Sequence, residues 1–153
     1  VEMRRMLGVL RSSDDLPVER APQPGLGQLA VLVEGLRDNG MSVEMAVEGN
    51  IAALEPGVDL SAFRIAQEAL TNVLKHAGPA AVWVQVRYGD DDVQVTVEDD
   101  GRGLSAQHQG RGGLGLVGMR ERAAIVGGEV KVGPRPGGGF RVSATLPYRG
   151  GEP

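Results

Sequence analysis

A chain of 153 residues with a net charge of −4 is one ordinary domain plus short extensions, and its charge balance asks for neither nucleic acid nor an anionic membrane surface. It has no cysteine, which excludes a disulfide framework and thiolate metal sites, and its 2 histidines cannot build a zinc site alone. No apolar run approaches the roughly 18 residues of a membrane span, so a soluble piece is expected, and the missing initiator Met suggests one cut from a longer chain.

Residues 1–11 carry Met3, Met6, Leu7 and Leu10 at helical spacing with arginines opposite. So short a helix is not stable alone, and it reads either as the tail of a longer helix or as a helix lying on its own domain. Residues 12–27, rich in Pro, Asp and Ser, read as a linker. Leu29, Leu32, Val33 and Leu36 then mark an amphipathic helix ended by Gly40, and the alternation over 41–48 marks a half-buried strand. A longer helix spans 59–78, with Asp59 or Ser61 as its cap and Gly78-Pro79 as its stop. Two strands, 81–88 and 92–98, are joined by Gly89-Asp90-Asp91 as an antiparallel hairpin. After a glycine-rich stretch come a helix over 116–126 and strands over 129–132 and 140–146. Every strand is apolar on one side only. The predicted architecture is therefore a two-layer α/β sandwich, an α+β fold in which three helices cover one face of a largely antiparallel sheet of about five strands.

Three features carry chemistry. On the long helix, Phe63, Ala66, Leu70, Val73 and Ala77 form the apolar face, while Glu68, Asn72 and His76 recur at four-residue steps with Lys75 alongside. A polar ridge is most often a solvated face. Here it also offers a carboxylate, a neutral oxygen and two cationic groups, the set a magnesium–polyphosphate requires. Second, Val93, Val95 and Val97 face the helices, and the next residue of that parity is Asp99. A carboxylate is thus aimed into the layer between sheet and helices, either as a turn cap or as an acceptor for a ligand's amino group, with Gly101 and Gly103 allowing close backbone approach. Asp100 has the outward parity and reads as solvent-facing. Third, glycines from 110 to 118 lead into a helix N-terminus, where free N–H groups favour an anion. This loop follows no first strand of a parallel βαβ unit and lacks G-K-[ST], which argues against a Rossmann site and excludes a P-loop.

The order E-x-x-x-N-x-x-K-H-A at 68–77, D-x-G-x-G at 99–103 and G-x-G-L-x-G-M-R-E-R at 113–122 resembles the ATP-binding catalytic domain of sensor histidine kinases, the Bergerat fold shared with gyrase, Hsp90 and MutL ATPases. The run GLGLVGMRERA is similar to the subfamily paired with NarL-type response regulators. The resemblance divides the chain into the end of a dimerisation helix (1–13), a linker (14–25), the catalytic domain (26–148) and a tail (149–153). It implies that Asn72 ligates Mg2+ and that Glu68 polarises the attacking group or a metal-bound water. Lys75 and His76 would sit near the phosphates, and Asp99 would bind the adenine amino group above Gly101 and Gly103. Gly113, Gly115 and Leu116 would lie at the phosphates, and 104–112 would form a lid. Phe140 stands where related ATPases often carry Thr, a departure that bears on a hydroxyl contact to the base-bound water.

The resemblance implies γ-phosphoryl transfer from ATP to a histidine on dimerisation helices outside this sequence, followed by relay to a response regulator. On this reading the fragment is a cytoplasmic monomer and its parent a homodimer, with a membrane-anchored receptor as the alternative form of the parent. The alternatives are a serine kinase of the anti-sigma-factor type on the same fold and a nucleotide-sensing module without turnover.

Overall fold

A computed structural model of the chain describes residues 24–101 and 115–149. Residues 1–11, the lid at 104–112, Gly103 and Gly113 all lie outside the described residues. A 3-10 turn (Leu26–Gln28) runs into α1 (Leu29–Asp38), followed by β1 (Ser42–Gly49) and the long α2 (Pro56–His76). The hairpin β2 (Ala81–Tyr88) and β3 (Asp92–Asp99) comes next, then α3 (Leu116–Ile125), β4 (Glu129–Pro134) and β5 (Phe140–Pro147). The sheet order is β1-β2-β3-β5-β4. Only the β1–β2 pairing is parallel; the other three are antiparallel. The expected two-layer α/β sandwich is present, with β3 as its central strand and all three helices on one face.

Each helix covers its own part of the sheet. α1 packs on β1, α2 on β3 and β5, and α3 on β4 and β5. The apolar stripe of α2 is buried throughout, from Phe63 through Leu70 to Ala77, and meets Val93, Val95 and Val97 of β3. Burying side chains of this size stabilises by about 1.5–3 kcal/mol each, which is how α2 is held in register over the central strand. β1 is less covered than its alternation suggests. Val43 is buried, Met45 is half-buried and Val47 is 49% exposed, because α1 is only 10 residues long and this is an edge strand.

The start of α2 differs from expectation. The helix begins at Pro56, three residues before Asp59, and Glu55 at its N-cap makes no side-chain cap bond. Asp59 does not cap; its carboxylate accepts the Leu26 N–H at 2.8 Å and so ties the entering chain to the first turn of α2. Proline suits that first position because its missing N–H would have had no helical partner. At the other end Ala77 N–H bonds Val73 C=O, and Gly78 turns the chain out with φ 73°, as expected of Gly78-Pro79.

Two glycines separate strain from slack. Gly139 has φ 106°, and a Cβ there would collide with the Asp99 carbonyl oxygen. Gly57, in the first turn of α2, has open space around it and no positive φ. Gly139→Ala is expected to lower stability by about 1–3 kcal/mol. Gly57→Ala is expected to be neutral or to stabilise by up to about 1 kcal/mol. Urea unfolding midpoints of the two variants check this, and equal shifts would contradict it.

Candidate functional site

The last turns of α2 and the ends of β3 and β5 enclose one cavity, lined by Ala69, Asn72, Val73, His76, Ala77, Val97, Asp99, Phe140 and Val142. The helical four-residue step puts Asn72 and His76 one turn apart on the same wall. The strand period of two puts Asp99 below them, after Val97, and register places Asp99 beside Phe140 of β5 and Val82 of β2. The cavity is narrow: its interior measures about 10 Å³, the room of a single water.

Asp99 is 4% exposed and Asn72 is 7% exposed, so each is a polar side chain turned into the interlayer. The Gly101 N–H donates to Asp99 Oδ1 at 2.9 Å. The carboxyl is nevertheless held above its ordinary pKa of 3.8, first because burial penalises the charge. Asp100 nearby adds to the rise, while the N–H groups of Gly101 and Phe140 and the cation of Arg135 oppose it. Asp100 itself is exposed, as its parity implied, and accepts the Ala81 N–H at 2.8 Å, fastening the start of β2.

The remaining predicted residues fall on this rim or at the adjoining end of α3. Lys75 is exposed and His76 half-buried. Gly101 passes so close to the end of α2 that a Cβ would meet the Ala77 Cβ at 2.8 Å; its first close neighbour is the protein's own helix. Gly115 is the N-cap of α3 in the left-handed region, φ 74°, with no side-chain cap bond. The Glu68 carboxylate packs directly against it. The catalytic carboxylate inferred on α2 and the helix N-terminus inferred for phosphate are therefore neighbours. Leu116 is buried in the core, which leaves its backbone as the part a ligand could meet.

Sequence reasoning passed over Gln67, which is 6% exposed, accepts from Arg64 Nη1 at 3.1 Å and gives its carbonyl to the Thr71 hydroxyl. The signal was available, since Gln67 falls four residues after Phe63 and three before Leu70, inside the apolar stripe. Phe140, expected on the inward side of the last strand, is buried there and also forms a wall of the cavity.

Residues 57–150 match the family of histidine kinase-, DNA gyrase B-, and HSP90-like ATPases. This chain belongs to that family. Over 150 residues it is 35% identical to the signal transduction histidine-protein kinase/phosphatase UhpB of Salmonella typhimurium, covering 96% of this chain and 28% of UhpB. It is 33% identical over 110 residues to the sensor histidine kinase LnrJ of Bacillus subtilis, covering 72% of this chain and 27% of LnrJ. The chain thus spans about a quarter of these relatives. Among solved structures, the histidine kinase domain of a blue-light activated kinase from Erythrobacter litoralis superposes with a TM-score of 0.62 at 25% identity, covering 96% of this chain and 78% of that one. Membership makes this a nucleotide-binding ATPase domain. No helix among the described residues is long and apolar enough to cross a membrane.

The raised pKa of Asp99 gives this ATPase domain a testable pH signature. A carboxyl that takes its proton more readily folded than unfolded lowers stability when ionised; the loss is complete above the folded pKa and vanishes below the unfolded value. Asp99→Asn is therefore expected to melt at the same or a higher temperature than the parent at pH 8, with the gap closing as pH falls through the carboxylate range. Melting curves across pH 4–8 check this, and a clear loss of melting temperature at pH 8 contradicts it.

Proposed function

We propose that this chain is the ATP-binding catalytic part of a sensor histidine kinase, transferring the γ-phosphoryl group of ATP to a histidine on dimerisation helices for relay to a response regulator. Asn72, His76 and the buried carboxylate of Asp99 on a single cavity is the observation that supports the reading most directly. Residues 1–13 are then the end of those dimerisation helices, 14–25 the linker, 26–148 the catalytic domain and 149–153 a tail, and the parent is a homodimer acting in the cytoplasm.

In this reading Asp99 accepts a hydrogen bond from the adenine amino group. A donor to that carboxylate offsets the penalty of burying its charge. Gly101 and Gly103 floor the base. Lys75 and His76 approach the phosphates from the rim, and Gly113, Gly115 and the Leu116 backbone do so from the start of α3, where free N–H groups favour anions. Glu68, packed against Gly115, stands where it can orient the attacking imidazole and hold its proton as the phosphoryl group transfers.

Mg2+ fits the donor set. Asn72 offers a buried neutral oxygen, and among the described residues there is no cluster of three or more His, Cys, Asp or Glu. An ion that keeps most of its water and leans on substrate phosphates needs no such cluster. Asn72 would hold the ion, which neutralises charge on the transferring phosphoryl group.

Mg-ATP and ADP are expected to raise the melting temperature of the chain. Asn72→Ala should abolish the magnesium dependence of binding. Glu68→Gln should still bind but transfer label from ATP to the parent's dimerisation hairpin, supplied in trans, about 100-fold or more slowly. If neither nucleotide shifts the melting temperature the reading fails; if both bind and no label moves, the domain senses nucleotide without turnover.

A further inference from the structure

The face of the sheet turned away from the helices carries a second polar construction, centred on Arg135 in the loop between β4 and β5. Its guanidinium lies 4.5 Å over the centroid of the Trp83 ring on β2. Its Nε donates to Glu98 Oε1 on β3 at 3.0 Å, and its Nη1 donates to the Gly138 carbonyl at 3.3 Å. Its backbone closes the same loop twice: Arg135 N–H to Gly139 C=O, and Gly138 N–H to Arg135 C=O, both at 3.0 Å. One side chain therefore joins two strands to a loop in which Gly137, Gly138 and Gly139 all have positive φ. A run of three such glycines has the widest conformational freedom a backbone can have, and something must take it away.

That loop ends at the cavity. Gly139 lies against the Asp99 carbonyl, and the N–H of the next residue, Phe140, which pairs with Asp99 across the strands, helps to hold the Asp99 pKa down. Glu98 and Asp99 are consecutive and so point to opposite faces, one gripped by Arg135 and the other turned into the pocket. We propose that Arg135 is a positioning residue for base recognition: clamped between Trp83 and Glu98, it pins the triglycine loop so that Gly139 and Phe140 hold the Asp99 carboxylate at the geometry that reads an amino group. Arg135 touches no substrate. Lysine would keep the charge on Glu98 but lose the flat stacking surface and the second donor.

The inference rests on Asp99 reading the base, and its test separates the two. Affinities for ADP and for inosine diphosphate, which carries a carbonyl where adenine has its amino group, are measured by calorimetry with magnesium. The parent chain is expected to prefer ADP, and Asp99→Asn to lose that preference. Arg135→Ala should weaken ADP by about tenfold while leaving inosine diphosphate within about twofold, so that its ratio falls toward that of Asp99→Asn. Arg135→Lys should recover part of the ratio. Arg141→Ala, which removes a more distant cation at 3.8 Å from Glu98 and no loop contact, should leave the ratio unchanged. A merely structural Arg135 would lower both affinities together; that result, or no change in either, overturns the proposal while the site reading stands. If the parent shows no preference that Asp99→Asn removes, the base-reading role fails and this proposal falls with it. Should Arg135→Ala not fold, the ratios of Arg135→Lys and Trp83→Ala decide in the same way.

Discussion

A carboxylate kept between the sheet and its helices is the constraint around which this domain is arranged. The inner residues of β3 before Asp99 are Val93, Val95 and Val97, each at most 3% exposed, so the charge arrives at the end of an apolar row. Side-chain donors would settle it, but they would also fill the cavity that Asp99 lines. Backbone donors take little volume, and the chain is bent to supply them. Gly101 passes tight against Ala77 to offer its N–H, and Gly139 presses on the Asp99 carbonyl so that Phe140 can do the same. The glycines that look like general looseness in the composition are, at these positions, the cost of approach.

What the sequence makes legible follows from periods. Alternation on β3 put Asp99 on the inner face, and the four-residue step on α2 put Asn72 and His76 on one wall, because neither inference needs to know what lies across the gap. The sheet, its three covering helices and the hairpin at Gly89 follow from the same two periods. Contacts distant in sequence were not legible. Asp59 is a good cap by composition, yet it serves the Leu26 N–H, 33 residues away, and the helix starts at Pro56 instead. Parity does not reveal direction either: the apolar row of β1 reads the same whether the strand runs with β2 or against it, and it runs with it. Trp83 lies on the outer face of β2, and its partner is in a loop some fifty positions later.

Two consecutive carboxylates with opposite fates show how the layers divide the work. Glu98, on the outer face, sits within 4 Å of both Arg135 and Arg141 and is partly in water. There an ion pair contributes little to stability but can fix geometry. Asp99, one residue on, faces the layer between sheet and helices and is 4% exposed. A cation brought into the cavity would hold its pKa down and would also close the space. Arg135 lowers the pKa of Asp99 from outside the cavity, so its field reaches the carboxyl while its bulk does not. The opposing effects still leave the carboxyl above its ordinary pKa, so this layer holds a charge that its own donors do not fully settle.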